Sequence, residues 1–386
     1  MAYMIFFRIL KSNRFKKRFI SPNNLKSAVL YKIQRLSGYL FDLFFSFIEN
    51  SMGLLISLDW RTTHKTSENI LVCRNKKYSS RSDEDSHEKY QIDDTLTRYG
   101  CKVINFYWDQ TGIFFGSQIR LWLFITTTKP NTIIFSSYSP GSRAKYSQPP
   151  RFFIERIKKK KNTKIIFLWW DSCSDNFYDR NILSLKNIDA THILMENPLI
   201  DLDKKPDLDM RILGLYSIFV ENDILLPRKK DIDVSFLGQI FSYRNLRREY
   251  IEFLMESNVS AYISVFERDN QVSNDKYFEI LGRSKIAINF SYSVDKHQFK
   301  GRPIEIFHSG AMLLETYNKQ TASLFRDGID YVSFRDKFEM VEKIKYYLLH
   351  PDEAEKIAKS GRDRMLSLYN LNIFWDKVFD NEPHDS

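Results

Sequence analysis

The sequence predicts an α/β protein with two parallel β-sheets, and three features of the chain support this prediction. Short apolar runs rich in Ile, Val, Phe and Trp recur from Asn69 onward. Segments with the apolar spacing of amphipathic helices separate most of these runs. A connector with Lys-, Pro- and Asp-rich parts interrupts the alternation, which begins again after about 221–231. Because strands that alternate with helices form βαβ units, each half of the chain is expected to contain its own parallel sheet.

Six predicted strands belong to the first half of the chain. They are NILVC (69–73), CKVINFYW (101–108), NTIIFSS (131–137), TKIIFLWW (163–170), THILME (191–196) and MRILG (210–214). The helix PPRFFIERIKKKK (149–161) begins with Pro, which suits a first helical turn because the missing N–H has no partner there anyway. We expect the first domain to span 61–225.

Five further strands are predicted in the second half. They are DVSFLG (233–238), SAYISVF (260–266), KIAINFSY (285–292), AMLLET (311–316) and DYVSF (330–334). Helices are predicted from about Arg244 to Ser257 and near DKYFEILG (275–282), and three more helical stretches close the chain. We expect a second domain at 226–370, followed by a C-terminal helix and tail at 371–386.

Residues 1–60 form a separate basic extension with helical patterns. Nine Lys and Arg residues and no Asp or Glu lie in residues 1–35, which accounts for most of the net charge of +10. Apolar residues from 36 to 58 fall on one helical face, so this stretch is predicted to be an amphipathic helix and not a membrane span. A basic arm beside an apolar face is typical of a segment that lies in the interface of an anionic membrane. The alternative is that the apolar face docks on the first domain.

The remaining composition indicates a soluble protein without a bound cofactor. Hydrophobic residues make up 43% and charged residues 27%, and the charge outside the N-terminal segment is nearly balanced, which argues against nucleic-acid binding. Three cysteines lie far apart without a CxxC pair, so a cytoplasmic location is expected and a zinc site is not. The N-terminus lacks the order of a signal peptide, and no GxGxxG or P-loop motif occurs.

Three Asp-x-Asp triplets are candidate metal sites. They are Asp201/Asp203, Asp207/Asp209 and Asp231/Asp233. The first two lie in the connector and the third precedes a strand instead of following one, so no metal role is expected.

The stretch FKGRPIEIFHSGAMLLETYN (299–318) is predicted to carry the binding site. Pro303 is expected to start a short helix after a strand, so Lys300, Gly301 and Arg302 would lie at its N-terminus, at the carboxyl end of the sheet. Unpaired N–H groups and a guanidinium at such a position favour a phosphate, and Glu305 in the first turn could accept hydrogen bonds from hydroxyls. The alternative is that Glu305 only stabilises the helix dipole and pairs with Arg302.

The segment from about Asp231 to Tyr369 also resembles a known family. The order of KYFEILGRSKIAINFSYS, KGRPIEIFHSGAMLLETY and LFRDGIDYVSF, followed by a helix ending in His-Pro and by IAKSGRDRML, is similar to the C-terminal half of GT-B glycosyltransferases of the group 1 type, especially the spore-maturation-protein-like branch. The resemblance implies two Rossmann-like domains that face each other across a cleft. It implies a metal-independent transfer of a sugar from a nucleotide-sugar donor to a glycan or lipid-linked acceptor.

The resemblance also implies roles for single residues. Glu305 falls where the family holds the donor ribose. FLGQIFSYRNLRRE resembles the start of the family's second domain, which makes Gly238 a point of close backbone approach and Arg244 a phosphate contact. Arg247 is a weaker candidate, with a solvated helix face as the alternative. In the Glu-x7-Glu pattern of related retaining enzymes, His297 stands here in place of the first Glu.

The catalytic base of an inverting transfer has three candidates. Asp109 and Asp171 each follow a predicted strand of the first half, and His297 lies in the loop before the quoted stretch. Loop or helix-cap roles are the alternative for both Asp residues, and His308 is expected to be a packed histidine. A second hypothesis for the whole protein is a membrane-associated scaffold that keeps the fold without turnover.

Overall fold

A computed structural model describes most of the chain from Asn69 to Asp380. The described residues are 69–76, 86, 88–108, 114–136, 138, 148–149, 151–161, 163–170, 177–195, 208–212, 228–238, 245–265, 272–291, 298–369 and 371–380. The predicted N-terminal extension at 1–60 therefore lies outside the described residues.

The first sheet contains six parallel strands. In chain order they are β1 (Asn69–Arg74), β2 (Lys102–Tyr107), β3 (Thr132–Ser136), β4 (Lys164–Trp169), β5 (Thr191–Leu194) and β6 (Met210–Ile212). Their spatial order is β2-β1-β3-β4-β5-β6. The helices between them are α1 (Asp94–Tyr99), entered through a π-helical turn at Lys89–Asp93, α2 (Phe114–Thr128) and α3 (Arg151–Lys161). A π-helical turn at Tyr178–Ile182 and a 3-10 turn at Leu183–Leu185 connect β4 to β5.

The second sheet contains five parallel strands. They are β7 (Ile232–Gly238), β8 (Ala261–Val265), β9 (Ser284–Asn289), β10 (Met312–Thr316) and β11 (Val332–Phe334), in the spatial order β11-β10-β9-β7-β8. The helices are α4 (Asn245–Glu256), α5 (Asn274–Arg283), α6 (Gly301–His308), α7 (Lys319–Leu324), α8 (Lys337–Leu349), α9 (Pro351–Leu368) and α10 (Leu371–Phe379).

Both faces of the second sheet are buried. Successive residues of its strands alternate between two apolar clusters, so that Val234 and Phe236 face one cluster while Leu237 faces the other. Ile286 and Ala287 divide between the clusters in the same way. Helices cover both sides, as expected for a parallel sheet whose strands are apolar on both faces.

The last helix returns to the first sheet. Phe374, Trp375 and Val378 of α10 belong to the same buried cluster as Ile70 and Ile166 of β1 and β4. Trp375 is fully buried, and its indole Nε1 donates to Thr95 Oγ1 on α1 at 3.1 Å. The C-terminal helix thus completes the core of the first half of the chain.

The predicted fold class is confirmed. All eleven predicted strands are present, and the restart of the alternation at β7 corresponds to a second, separate sheet. Within the part of the chain that the structure describes, no helix is both long and apolar enough to span a bilayer.

Candidate functional site

The strand order of the second sheet determines where a ligand can bind. Strand β8 follows β7 in the chain and lies on one side of it, whereas β9 follows β8 and lies on the other side of β7. The strand order therefore reverses between β7 and β9. In open α/β sheets, ligands bind in the crevice outside the carboxyl ends of the strands at such a reversal. Gly238 is the last residue of β7 and Asn289 the last of β9, so these two residues mark the crevice.

Gly238 and Arg302 meet at this reversal point. A Cβ atom at Gly238 would lie 2.8 Å from Nη1 of Arg302 and 3.4 Å from Nη2, distances that a side chain at this position would rarely tolerate. The guanidinium of Arg302 therefore occupies the space that a larger residue at 238 would need. Two of the residues predicted separately from the sequence are thus brought into contact.

The N-terminus of α6 lies beside this contact. Lys300 is the extended N-cap residue, and Gly301 is the first residue of the helix, buried and followed by Arg302 and Pro303. The helix begins two residues earlier than predicted, so Pro303 is its third residue and Glu305 lies in the second turn instead of the first. Pro303 still belongs to the turn whose N–H groups have no intrahelical partner.

Glu305 is buried, and its carboxylate is held by a residue that the sequence did not indicate. Tyr277 of α5 donates a hydrogen bond from its hydroxyl to Glu305 Oε2, and both residues are less than a tenth exposed. Burial raises the pKa of Tyr277, and the neighbouring Glu305 carboxylate raises it further, while the positive charge of Arg302 opposes the rise. The carboxylate of Glu305 is therefore held by a tyrosine from the neighbouring helix α5.

The sequence offered no signal for Tyr277. It lies in a helix beside Phe278 and Leu281 and belongs to the apolar cluster under α6, which is the pattern of an ordinary core residue. Only the packing of α5 against α6 brings its hydroxyl to Glu305.

A second buried carboxyl group lies at the carboxyl end of the neighbouring strand. Glu315 of β10 is fully buried and accepts a hydrogen bond from Asn289 Nδ2 on β9. Burial raises the pKa of Glu315 to about 7, and the hydrogen bond from Asn289 moderates the rise. The sequence assigned this residue only to a strand.

Four predicted site residues lie outside the described residues. They are Asp109, Asp171, His297 and Arg244. Their roles stay predictions from the sequence.

The alternative of a solvated helix face for Arg247 is wrong. Arg247 is 7% exposed, donates from Nη2 to the backbone oxygen of Phe290 at 3.2 Å and lies over the rings of Phe236 and Phe290. His308 is packed, as expected: it is 3% exposed, and burial lowers its pKa to about 4.

The third Asp-x-Asp triplet is engaged in ion pairs. Asp231 contacts Arg283 at 2.8 Å and Asp233 contacts Lys285 at 2.6 Å, on the amino-terminal side of β7. Asp209 accepts a hydrogen bond from Thr191 at 2.6 Å, and the other triplet residues lie outside the described part of the chain.

Polar side chains also gather at the carboxyl edge of the first sheet, where its strand order reverses between β1 and β3. Arg74, the last residue of β1, forms a buried ion pair with Asp93, with Nε 3.1 Å from Oδ1. Ser136, the last residue of β3, donates to Glu88 and accepts from the indole of Trp170 at 2.8 Å. Sequence reasoning missed this network because its members come from four separate segments.

Comparison with solved structures identifies the fold. The Anabaena protein Alr3699/HepE, in complex with UDP and glucose, matches with a TM-score of 0.50 and 9% sequence identity over 82% of this chain and 99% of that chain. The T4 phage BGT in complex with its UDP-glucose substrate gives a TM-score of 0.49 and 13% identity over 81% of this chain and 99% of that chain. The fold assignment rests on the first match and on the topology of the two sheets, which together show the GT-B fold.

Comparison with protein families agrees with this fold. Residues 224–378 match the family described as "Glycosyl transferase-like", which covers the second sheet and its helices. No curated protein matches the chain in sequence at a significant level. The fold and the family match together support a GT-B glycosyltransferase, as the resemblance in the sequence implied.

Proposed function

We propose that this protein transfers a sugar from a nucleotide-sugar donor to a glycan or lipid-linked acceptor, without an essential metal ion. The observation that carries the proposal is the contact of Arg302 with Gly238 at the reversal point of the second sheet, with Glu305 one turn further along the same helix. A cation at the mouth of the crevice and a buried carboxylate behind it match the two polar parts of a nucleotide sugar, its diphosphate and its ribose. The UDP and UDP-glucose present in the solved structures of similar fold are consistent with such a ligand.

Each donor-site residue has a chemical role in this proposal. Arg302, Lys300 and the N–H groups at the start of α6, including that of Gly301, bind the diphosphate, and Arg244 adds a second guanidinium. Stabilising the charge that develops on the departing diphosphate lowers the barrier to sugar transfer. Asp109, Asp171 or His297 takes the proton from the acceptor hydroxyl if the transfer inverts the configuration.

Donor binding is tested by titration calorimetry with UDP-, GDP-, ADP- and CMP-linked sugars. Glu305→Ala should weaken binding of the preferred donor by about 1.5–3 kcal/mol, the range for hydrogen bonds to a charged group. The matched control is Glu279→Ala, since Glu279 lies on α5 and pairs with Lys276 and Arg283 at the surface. Failure of every nucleotide sugar to bind the unaltered protein would refute the proposal.

Metal independence has its own test. Sugar transfer or slow donor hydrolysis should continue in excess EDTA, because the proposed charge stabilisation comes from arginines and a helix N-terminus. Activity that is lost in EDTA and restored by Mg²⁺ or Mn²⁺ would contradict this part of the proposal.

The proposed membrane partner rests on residues 1–60. Each basic residue near an anionic surface contributes on the order of 1 kcal/mol, so partial engagement of the nine in residues 1–35 would hold the protein at the cytoplasmic face of a membrane. The protein should sediment with anionic liposomes at low salt, and deletion of residues 1–35 should abolish this. An intact protein that stays in the supernatant would favour docking of the apolar face on the first domain.

A further inference from the structure

The hydroxyl of Tyr277 is a polar group in an otherwise apolar environment. The ring of Tyr277 packs in the cluster that contains Phe278, Ile304 and Phe307, where a phenylalanine would fill the same space. Burying a hydroxyl without a hydrogen bond is unfavourable, so its presence here calls for a partner. That partner is Glu305 Oε2, which accepts a hydrogen bond from the hydroxyl.

The contact fixes the orientation of the Glu305 carboxylate. A glutamate side chain has three rotatable bonds, and its last torsion is broad when nothing constrains it. Tyr277 comes from a different helix, α5, whereas Glu305 lies on α6, so their hydrogen bond ties the carboxylate to a rigid neighbour. One carboxylate oxygen is thereby engaged by the protein.

Arg302 extends this arrangement to the mouth of the crevice. Its guanidinium occupies the space beside Gly238, and its positive charge acts on the Tyr277 hydroxyl. The hydroxyl donates to Glu305 and lies in the field of Arg302, so the proposed phosphate-binding residue and the proposed ribose-binding residue both act on one tyrosine.

We propose that Tyr277 is a positioning residue that holds Glu305 in the orientation required by a ribose diol, and that the site thereby selects ribonucleotides over 2′-deoxyribonucleotides. The inference rests on the proposed function, since it concerns the same donor site. A carboxylate held in place cannot move to another partner when a ligand lacks the 2′-hydroxyl. The carboxylate oxygen of Glu305 that faces the ligand then stays buried without a hydrogen bond, which lowers the affinity for the deoxy ligand.

The test is a comparison of affinities for matched ligands. Dissociation constants are measured for UDP, GDP, ADP and CMP and for the 2′-deoxy counterpart of each, with the unaltered protein and with Tyr277→Phe. The unaltered protein should prefer the ribonucleotide of its preferred base by roughly tenfold or more, the effect of one hydrogen bond to a charged group. Tyr277→Phe should reduce this preference to about threefold or less, chiefly through weaker binding of the ribonucleotide.

Two further variants separate positioning from simple packing. Tyr369→Phe removes the hydroxyl of another tyrosine in the same apolar cluster and should leave the preference unchanged. In a Glu305→Gln background, Tyr277→Phe should produce no further change in the preference, because the group it positions is already altered.

The outcomes distinguish this inference from the proposed function. If the unaltered protein binds none of these nucleotides and no nucleotide-linked sugar, the proposed function itself fails and this inference fails with it. If it binds them with a ribose preference that Tyr277→Phe retains, only the inference is overturned. Equal weakening of both members of a pair by Tyr277→Phe would show a structural role and would also overturn it.

Discussion

Glu315 shows how one buried carboxyl group can make stability depend on pH. Burial raises its pKa from an ordinary 4.5 to about 7. Below about pH 4.5 both the folded and the unfolded chain hold the proton, so the group does not make the free energy of unfolding depend on pH. Between pH 4.5 and 7 the unfolded chain loses the proton while the folded protein retains it, so the free energy of unfolding falls as the pH rises. Above pH 7 both states have lost the proton, so this group lowers the free energy of unfolding no further.

Replacing Glu315 by Gln should remove this pH dependence. The amide oxygen can still accept from Asn289, and no ionised form exists. Relative to the unaltered protein, Glu315→Gln should become more stable as the pH rises from 5 to 8, by an amount on the order of 2–3 kcal/mol. Urea unfolding at both pH values measures the change, with the surface variant Glu279→Gln as the control. A difference between variant and unaltered protein that is the same at both pH values would contradict the assignment.

Gly238 should be required for ligand binding more than for stability. The Cβ of Gly238→Ala would collide with the far end of the flexible Arg302 side chain, 2.8 Å away, and would press on the ring of Phe236 at 3.1 Å. Arg302 can move aside at small cost, but it then leaves the reversal point. We expect a loss of stability of no more than about 1 kcal/mol and a loss of donor affinity of roughly tenfold. Thermal unfolding and calorimetry on the same sample test both, and unchanged affinity would place the donor away from Arg302.

Gly361 of α9 is closely surrounded by backbone and ring atoms. A Cβ atom there would lie 2.1 Å from the backbone oxygen of Asp330 and 2.7 Å from the ring of Phe307 on α6. Helix propensity alone predicts that Gly361→Ala is stabilising by about 1 kcal/mol. Because backbone atoms cannot move aside as a side chain can, we expect the opposite sign, a loss of about 1–3 kcal/mol.

The sign of the change at Gly361 is measured by urea unfolding. Lys359→Ala on the exposed side of the same helix is the matched control and should change stability by no more than about 0.5 kcal/mol. A gain in stability for Gly361→Ala would mean that α9 lies further from Asp330 and from α6.

Helix α10 follows the second sheet in the chain but belongs to the hydrophobic core of the first sheet. Trp375 of α10 is fully buried against β1 and β4, two strands that are far from it in sequence. Trp375→Ala should destabilise by about 3–5 kcal/mol, the usual cost of truncating a large buried side chain. Hydrogen exchange should show the loss of protection in β1, β3 and β4, while β7, β9 and β10 remain protected. Leu349→Ala, at a side chain that is 79% exposed, is the control. A loss confined to the second sheet would contradict this packing.

The local sequence was sufficient to predict the strands of the two sheets. Apolar runs of strand length and the helical spacing between them are properties of residues close together in the sequence. Because the strands of a parallel sheet are buried on both faces, this local pattern is enough to predict them. The strands at Asn69–Arg74 and Ile232–Gly238 were therefore predicted to within one residue at each end. The start of α6 was predicted less well, because Pro303 is compatible with any position of the first turn.

The sequence by itself determined the two parallel sheets, the glycine at the end of β7 and the Lys-Gly-Arg segment before a short helix. Only the tertiary structure decided that the guanidinium of Arg302 lies in the space left by Gly238, that Tyr277 holds Glu305, and that α10 closes the first core. The physical reason is that each of these contacts joins side chains from elements distant in the chain. The direction and distance of such side chains depend on how helices pack on a sheet, which the periodicity of either segment alone does not specify.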